Sequence, residues 1–546
     1  MKKEITKDDL QNLDKDLIID MFLQQQANLQ SMSERLDHLT EMIALSNQRA
    51  YGSSSEKGLS DILIDNQLYI SFNEVEYTIE EAGDASDEEE ERIEVPAHTR
   101  ARKKGVRKED LNGLQREIII HDATDEDKAS LGDNFRELPD EVYDKLKYVP
   151  AAFIVEEHHV KVYAGPDDRF VKGERPKDAF PGSIATPELV SGIFNSKYVN
   201  GMPVARIEKD FERMEINIRR QTMCRWLDRT KTHYITPLYN ALKDALTGFH
   251  VIQADETPVQ VNKAHTENKD GSEEIKKKKC YMWVYKSGAF EPRRIVLYDY
   301  KSGRKGEYPE EFLRKFHGIC VSDGYQVYHT IDDEREDIQV AGCWAHAKRP
   351  FATLVKALGK KGAKGSVAKE AVRMIDTFYH YEKRFKDMPP DERLKARQDK
   401  IAPLVDVFFE WAKKMVDQVG SKAVRDGLNY CINQEKYLRV FLTDGEVPID
   451  NNSAEQSIRP FVTGRKAWLF CDTESGAETS AMLYSIAETA KANRLKPYEY
   501  MKYILTEMAA ARIDRSTIDE EKIKQILPRL LPWSDAIPDI CRMKEK

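Results

Sequence analysis

The sequence predicts a multidomain α/β protein in which a mixed sheet, covered by helices, is split by an all-helical insertion and preceded by smaller modules. Three observations predict this. Strand-forming runs follow one another between Val251 and Cys343, with one helical stretch among them. From Trp344 to Thr443 those runs stop, and apolar residues such as Ala371, Ile375, Phe378, Tyr381 and Phe385 recur at helical spacing. Upstream of residue 240 the chain carries in turn a heptad pattern, an acidic run, a basic run, a strand-rich stretch and two short helices. At 546 residues there is room for several domains.

Residues 1–50 form the first module. Ile18, Phe22, Leu29, Met32, Leu36, Leu39 and Ile43 fall on alternating steps of three and four if Gln25 is one polar core position, as in a coiled coil. The rival is a single amphipathic helix packed on its own domain; the heptad pattern favours self-association into a homo-oligomer. Residues 51–97 read as an acidic flexible linker, opened by Tyr51-Gly-Ser-Ser-Ser-Glu-Lys-Gly and dense in charge from Glu80 to Glu91.

Residues 98–180 comprise a basic arm and a small β module. In the arm, Arg100, Arg102, Lys103 and Lys104 are candidates for contacts along the backbone of double-stranded DNA, although a solvated charge run is the commoner explanation of such a cluster. The net charge of −9 does not exclude DNA, because phosphate affinity follows the local field. Glu117-Ile-Ile-Ile-His and the run from Ala152 to Tyr163 predict strands. Residues 181–240 read as a helix-turn-helix-like region. Pro203 to Met214 is one helix with Pro in its first turn, and Arg219 to Arg229 is a second that presents Arg219, Arg220, Gln221, Thr222 and Arg225 to a major groove. A purely structural helical hairpin is the alternative.

Residues 241–343 hold the first part of the sheet domain: strands at Val251–Val261, Cys280–Tyr285, Arg294–Tyr300, Gly318–Ser322 and Ile338–Cys343, with a Lys-rich loop from His265 to Lys279 and a helix around Pro309–Phe316. Residues 344–449 are the helical insertion, 450–495 the second part of the sheet domain, and 496–546 a C-terminal helical tail. This order matches a ribonuclease H-like fold.

Three acids stand out. Asp255 and Asp323 each follow a strand-like run, and Glu455 opens a helix in Asp450-Asn-Asn-Ser-Ala-Glu-Gln-Ser-Ile-Arg-Pro460. Asp255 and Glu256 alternate across a strand, so only one of them faces a shared site. Each acid has a plainer explanation: turn formation for Asp255 and Asp323, a capping box from Asn452 for Glu455. Their combination points instead to clustered carboxylates, which repel unless a cation is bound. Such hard oxygen ligands suit Mg²⁺ or Mn²⁺.

Composition narrows the setting. No run of some 18 apolar residues and no apolar signal core are present, so a cytoplasmic, nucleoid-associated protein without a membrane partner is expected. The seven cysteines include no Cys-x-x-Cys pair, which reads as reduced thiols. Cys343-x-x-His346 lacks a partner pair for zinc and reads as packing and hydrogen bonding.

Asp255-Glu-Thr-Pro-Val, Ser322-Asp-Gly-Tyr, Gly342-Cys-Trp-Ala-His-Ala-Lys-Arg-Pro-Phe351, Asp450 to Pro460 and Gly464-Arg-Lys-Ala-Trp-Leu-Phe470 resemble, in order, the transposase of the insertion sequence 66 family. The resemblance spans nearly the whole chain, to Leu530-Leu-Pro-Trp533. It implies that Asp255, Asp323 and Glu455 are an Asp-Asp-Glu triad that is both catalytic and metal-binding, with two ions. It implies a substrate of element terminal inverted repeats and target DNA, with small accessory proteins of the element as candidate partners. The family also has a zinc-binding module, but its metal cysteines align here with Lys128, Leu131, Gly165 and Asp168, so zinc is not expected. Arg459, Arg465 and Lys466 flank the catalytic helix as candidate phosphate contacts, with structural ion pairing as the alternative. The expected activity is DNA strand cleavage followed by strand transfer; a nuclease of the same fold and a non-catalytic DNA-binding relic are the rivals.

Overall fold

The computed structural model describes residues 152–164, 170–175, 177–267, 273–512 and 518–544, with scattered helical positions between Phe22 and Ser46. Arg100, Arg102, Lys103 and Lys104, most of the heptad positions, the acidic linker, and Lys128, Leu131, Gly165 and Asp168 lie outside the described residues. The chain divides into two units, residues 62–175 and the remainder.

In the smaller unit, Val162–Ala164 (β1) pairs antiparallel with Phe170–Lys172 (β2). The longer strand expected from Ala152 does not form: residues 152–161 are irregular, and Ile154 and Val155 are 88% and 90% exposed. Strand propensity measures fit to a half-buried pleated surface, and among the described residues no strand faces that run.

The larger unit begins with Pro187–Phe194 (α1), where the Thr186 hydroxyl accepts from the Leu189 amide at 3.2 Å and proline takes the first position. Val204–Arg213 (α2) follows, with Pro203 as its cap and not within its first turn. After a connector holding Glu215 at φ 63° comes Arg220–Thr230 (α3). A π-helical turn, Lys231–Ile235, carries α3 directly into Thr236–Thr247 (α4), so the expected boundary at 240 falls inside a helix.

The sheet strands are Val251–Glu267 (β3), Glu273–Ser287 (β4) and Val296–Lys301 (β5). Glu307–Phe312 (α5), Gly318–Val321 (β6), Gln326–Glu334 (α6) and Ile338–Ala341 (β7) complete this part. The expected Lys-rich loop is largely strand. β3 and β4 form a long antiparallel hairpin with a bulge between Val261 and Ala264, and both of those side chains are buried. The lysines sit along the exposed edge of that hairpin, which is why their composition imitates a loop.

The insertion is helical: Trp344–Gly362 (α7), Val367–Arg384 (α8), Pro390–Lys400 (α9), Ala402–Met415 (α10), Lys422–Asn433 (α11) and Glu435–Leu438 (α12). Its core forms around Trp344, whose ring packs on Phe378, Phe408 and Phe409. Its ends meet where the Trp344 amide donates to the Ile449 carbonyl at 3.1 Å. The chain then forms Asn452–Trp468 (α13), Cys471–Thr473 (β8), Glu474–Ala492 (α14), Pro497–Ala509 (α15) and Glu520–Leu530 (α16). The last two are helical as expected but form no mere tail: Tyr500, Met501, Ile504, Leu505 and Met508 are fully buried in the main core with Trp283 and Tyr298.

Strand order is β5-β4-β3-β6-β7, with β8 also pairing β3. β3, β4 and β5 are antiparallel, whereas β6 and β8 lie parallel to β3 and β7 parallel to β6. The sheet separates two cores. Ile252, Ala254, Cys320 and Val340 face one, while the alternate residues Val251, Ile319, Val321 and Ala341 face the other, which includes the insertion. Among the described residues no helix is long and apolar enough to cross a membrane.

Candidate active site

One edge of β3 is shared. β6 pairs with Val251–Gln253 and β8 pairs with Val261 and Lys263, which leaves the stretch between them without a strand on that side among the described residues. The first and last turns of α13 serve this gap. Asn451, the residue capping α13, donates its amide to the Ala254 carbonyl at 2.8 Å and accepts from Gln253 Nε2 at 3.3 Å. Near the other end of α13, Arg465 donates to the Pro258 carbonyl and, at 3.3 Å, to Thr257 Oγ1. Arg465 therefore braces α13 against β3.

Asp255 lies within β3, not at its end, because the hairpin continues well beyond Pro258. By alternation it shares a face with Val251 and Gln253, and Glu256 points to the opposite face. Asp255 Oδ1 accepts from the Glu256 amide at 2.8 Å. Asp323 stands two residues past β6, its Oδ1 accepting from the Tyr325 amide at 3.1 Å and its carbonyl accepting from the Tyr430 hydroxyl at 2.9 Å. Gly324 follows at φ +89°, and a Cβ there would come within 2.6 Å of the Tyr430 hydroxyl, so the turn admits only glycine.

Glu455 is the fourth residue of α13 and only 7% exposed. The expected capping box does not form: Asn451, not Asn452, precedes the helix, and its side chain is engaged with β3. Glu455 Oε1 instead lies 3.4 Å from Arg349 Nη2 and 3.5 Å from His346 Nδ1. Both residues lie near the start of α7, three positions apart and so on one face. That spacing was available in the sequence. Cys343, just before them, accepts the Asn451 amide on Sγ at 3.2 Å, so Cys343-x-x-His346 grips the start of α13.

The three acids share an electrostatic environment. Burial pushes the Asp255 carboxyl well above the usual range, and the charges of Asp323, Glu256 and Glu455 add to this. Glu455 is raised by burial, against Arg349 and with the help of Asp323. Glu256 is raised to about 7 by burial and Asp323, with Arg304 opposing. Burial and Arg349 push His346 down to about 4, so its imidazole is neutral at neutral pH. As the side chains stand, no group of three His, Cys, Asp or Glu among the described residues is gathered closely enough to hold a metal ion. Glu455 is turned toward Arg349 and His346.

The other candidates are more dispersed. On α3, Arg220, Gln221 and Arg225 are exposed, as is the capping Arg219, and Thr222 is half-buried. The opposite face buries Met223, Trp226, Leu227 and Thr230, and Glu208 of α2 accepts the Arg220 amide at 2.9 Å. Lys466 is exposed and Arg459 half-buried on α13.

Residues 182–479 match the family model described as "Transposase IS66 family", and residues 38–119 match one described as "Transposase C of IS166 homeodomain". The chain is similar to uncharacterized protein y4qI of Sinorhizobium fredii, 26% identical over 495 residues that cover 88% of this chain and 87% of that protein. It is also similar to y4hP of the same organism, 25% identical over 451 residues, covering 79% and 77% respectively. Among solved structures it matches the Drosophila P element transposase strand transfer complex with a TM-score of 0.30 and 10% identity, over 56% of this chain and 92% of that one. With the family model spanning more than half of its length, the chain belongs to the IS66 family of transposases.

Proposed function

We propose that this chain binds the ends of a mobile element and cuts and joins DNA strands, with Asp255, Asp323 and Glu455 as the carboxylates of a two-ion Mg²⁺ or Mn²⁺ site on a ribonuclease H-like sheet. The observation that carries this reading is the junction at which three distant segments meet: β6 lies parallel beside the strand of Asp255, and Asn451 bonds the start of the Glu455 helix to Ala254. The donor chemistry fits a hard divalent cation, since burial and neighbouring carboxylates disfavour the charged forms of Asp255 and Glu455, which a bound cation would offset. Ions of this class lower the pKa of water and stabilise charge on a departing phosphate oxygen.

The remaining roles belong to the chain itself. Arg349 offers positive charge beside Glu455, where a phosphate's negative charge would arrive, and neutral His346 lies 3.5 Å from the same oxygen, Oε1. α2 and α3 serve as the helix-turn-helix reader, with Arg219, Arg220, Thr222 and Arg225 on the DNA side, and Lys466 and Arg459 contact phosphate near α13. The heptad module at residues 1–50 assembles copies of the chain, and the basic arm adds backbone contacts.

The test is cleavage of a labelled oligonucleotide carrying the element's end, with Mg²⁺ present. Asp255→Asn, Asp323→Asn and Glu455→Gln abolish cleavage while retaining DNA binding. Loss with Glu256→Gln alone, and not with Asp255→Asn, overturns the assignment of faces. Cut ends that never join a target reduce the reading to a nuclease.

A further inference from the structure

A continuous chain of contacts links Asp255 to Asp323 around the back of β3. It starts at the Glu256 amide, which donates to Asp255 Oδ1 at 2.8 Å. The Glu256 carboxylate, only 2% exposed on the far face of the strand, accepts two bonds from Arg304, with Nε at 2.8 Å. Arg304 belongs to the loop between β5 and α5, and its guanidinium lies over the Tyr325 ring, 3.6 Å from the centroid. The Tyr325 hydroxyl returns to the Arg304 carbonyl at 2.7 Å, and the Tyr325 amide donates to Asp323 Oδ1 at 3.1 Å.

We infer that Arg304 is a positioning residue: held between Glu256 and Tyr325, it fixes how far the Asp255 strand stands from the Asp323 turn, and so sets the affinity of the site for divalent cations. The inference rests on the proposed metal reading. Pairing a buried glutamate with a half-buried arginine is an expensive way to fill space, because desolvating charged groups costs more than packing apolar side chains of the same volume. This pair sits where its geometry is transmitted to both aspartates. It also opposes the charge of Glu256 on the far face of the strand. Lysine cannot substitute, since it has neither the planar fork that places two donors on one carboxylate nor a flat face to stack on Tyr325.

The experiment measures binding of Mn²⁺ alone to the full-length protein, by calorimetry and by electron paramagnetic resonance of free Mn²⁺. The variants are Asp255→Asn, the double variant Glu256→Gln/Arg304→Met, Arg304→Lys and Tyr325→Phe. The double variant removes one charge of each sign, so a change in affinity reports geometry and not net charge. Groups that orient metal ligands typically contribute about 10- to 100-fold in affinity, and a weakening of that order is expected for the double variant and for Arg304→Lys. Tyr325→Phe, which deletes only the bond to the Arg304 carbonyl, weakens binding by a smaller factor. Wild-type affinity in the double variant overturns the inference; should that variant fail to fold, wild-type affinity in Arg304→Lys does so. If the wild type binds no Mn²⁺, or Asp255→Asn binds it equally well, the metal reading itself fails and the positioning role falls with it.

Discussion

Asn451 Nδ2 donates to the Ala254 carbonyl at 2.8 Å, which ties the residue just before Asp255 to the residue four before Glu455. The same side chain accepts from buried Gln253, and its backbone amide donates to Cys343 Sγ. Asn451→Ala leaves the Ala254 carbonyl without its side-chain donor and Gln253 Nε2 with only its 3.5 Å bond to the Asp450 carbonyl, at a cost of about 1–3 kcal/mol. Urea unfolding should show that loss, and cleavage measured well below the variant's unfolding temperature should fall further than stability explains. Asn451→Asp should be worse, because it cannot donate to Ala254 and adds an acid beside three others. Unaltered cleavage in a folded Asn451→Ala protein would separate this bond from catalysis.

The raised acids give the metal-free protein a definite pH dependence. A carboxyl whose value is higher in the fold than in the unfolded chain contributes stability below its unfolded value and loses it as pH rises through its folded value. For Glu256 that window runs from 4.5 to about 7, and Asp255, also raised, acts in the same direction. In EDTA, the melting temperature of Glu256→Gln should therefore fall less than that of the wild type across this interval. Mg²⁺ should raise the wild-type melting temperature most at neutral pH, as expected of a ligand that binds only the folded form. Parallel pH profiles for the two proteins would contradict the assignment.

Within the insertion, Arg397 is fully buried and bonds both oxygens of Glu382, at 2.7 and 2.8 Å, as well as the carbonyls of Phe441 and Asp444. Removing one member of such a pair strands a charge in the interior, so Glu382→Ala should cost about 3–5 kcal/mol. Glu382→Leu combined with Arg397→Met should recover part of this, the two carbonyls and Arg393, whose Nη2 bonds Glu382 Oε2 at 2.6 Å, having lost their partners. Guanidinium denaturation of the two variants beside the wild type checks the order.

On α3 the exposed arginines should act as phosphate contacts. Each of Arg220→Gln and Arg225→Gln is expected to lower the slope of log affinity against log salt by about 1. Fluorescence anisotropy with element-end duplexes at several salt concentrations measures it. An unchanged slope in both variants would move the DNA interface elsewhere.

The strand of Asp255, the strand before Asp323, the helix of Glu455 and the helical nature of residues 344–449 were all legible, because period and punctuation along the chain encode them. The hairpin from Val251 to Ser287 was legible only in its apolar half. Lysine at successive positions on an exposed ladder carries no period that distinguishes strand from loop, and of the nearby apolar residues Ala264 is buried while Ile275 is exposed. The partners of the acids were harder still. Arg304 lies 48 positions from Glu256, and nothing in local spacing joins them. Arg349 and His346 were written three apart in a recognised motif, yet their partner Glu455 lies beyond the entire insertion. The Ala152 run erred in the other direction: propensity was present, and pairing was not.

The bond from the Trp344 amide to the Ile449 carbonyl makes the insertion a detour that leaves and rejoins the main route at one doorway. Loop-closure entropy grows only with the logarithm of length, so lineages can lengthen, shorten or exchange the excursion beyond α7 without moving the threshold. The count of residues separating Asp323 from Glu455 is therefore a poor yardstick for comparing distant relatives, and the few side chains standing at the doorway are the better one.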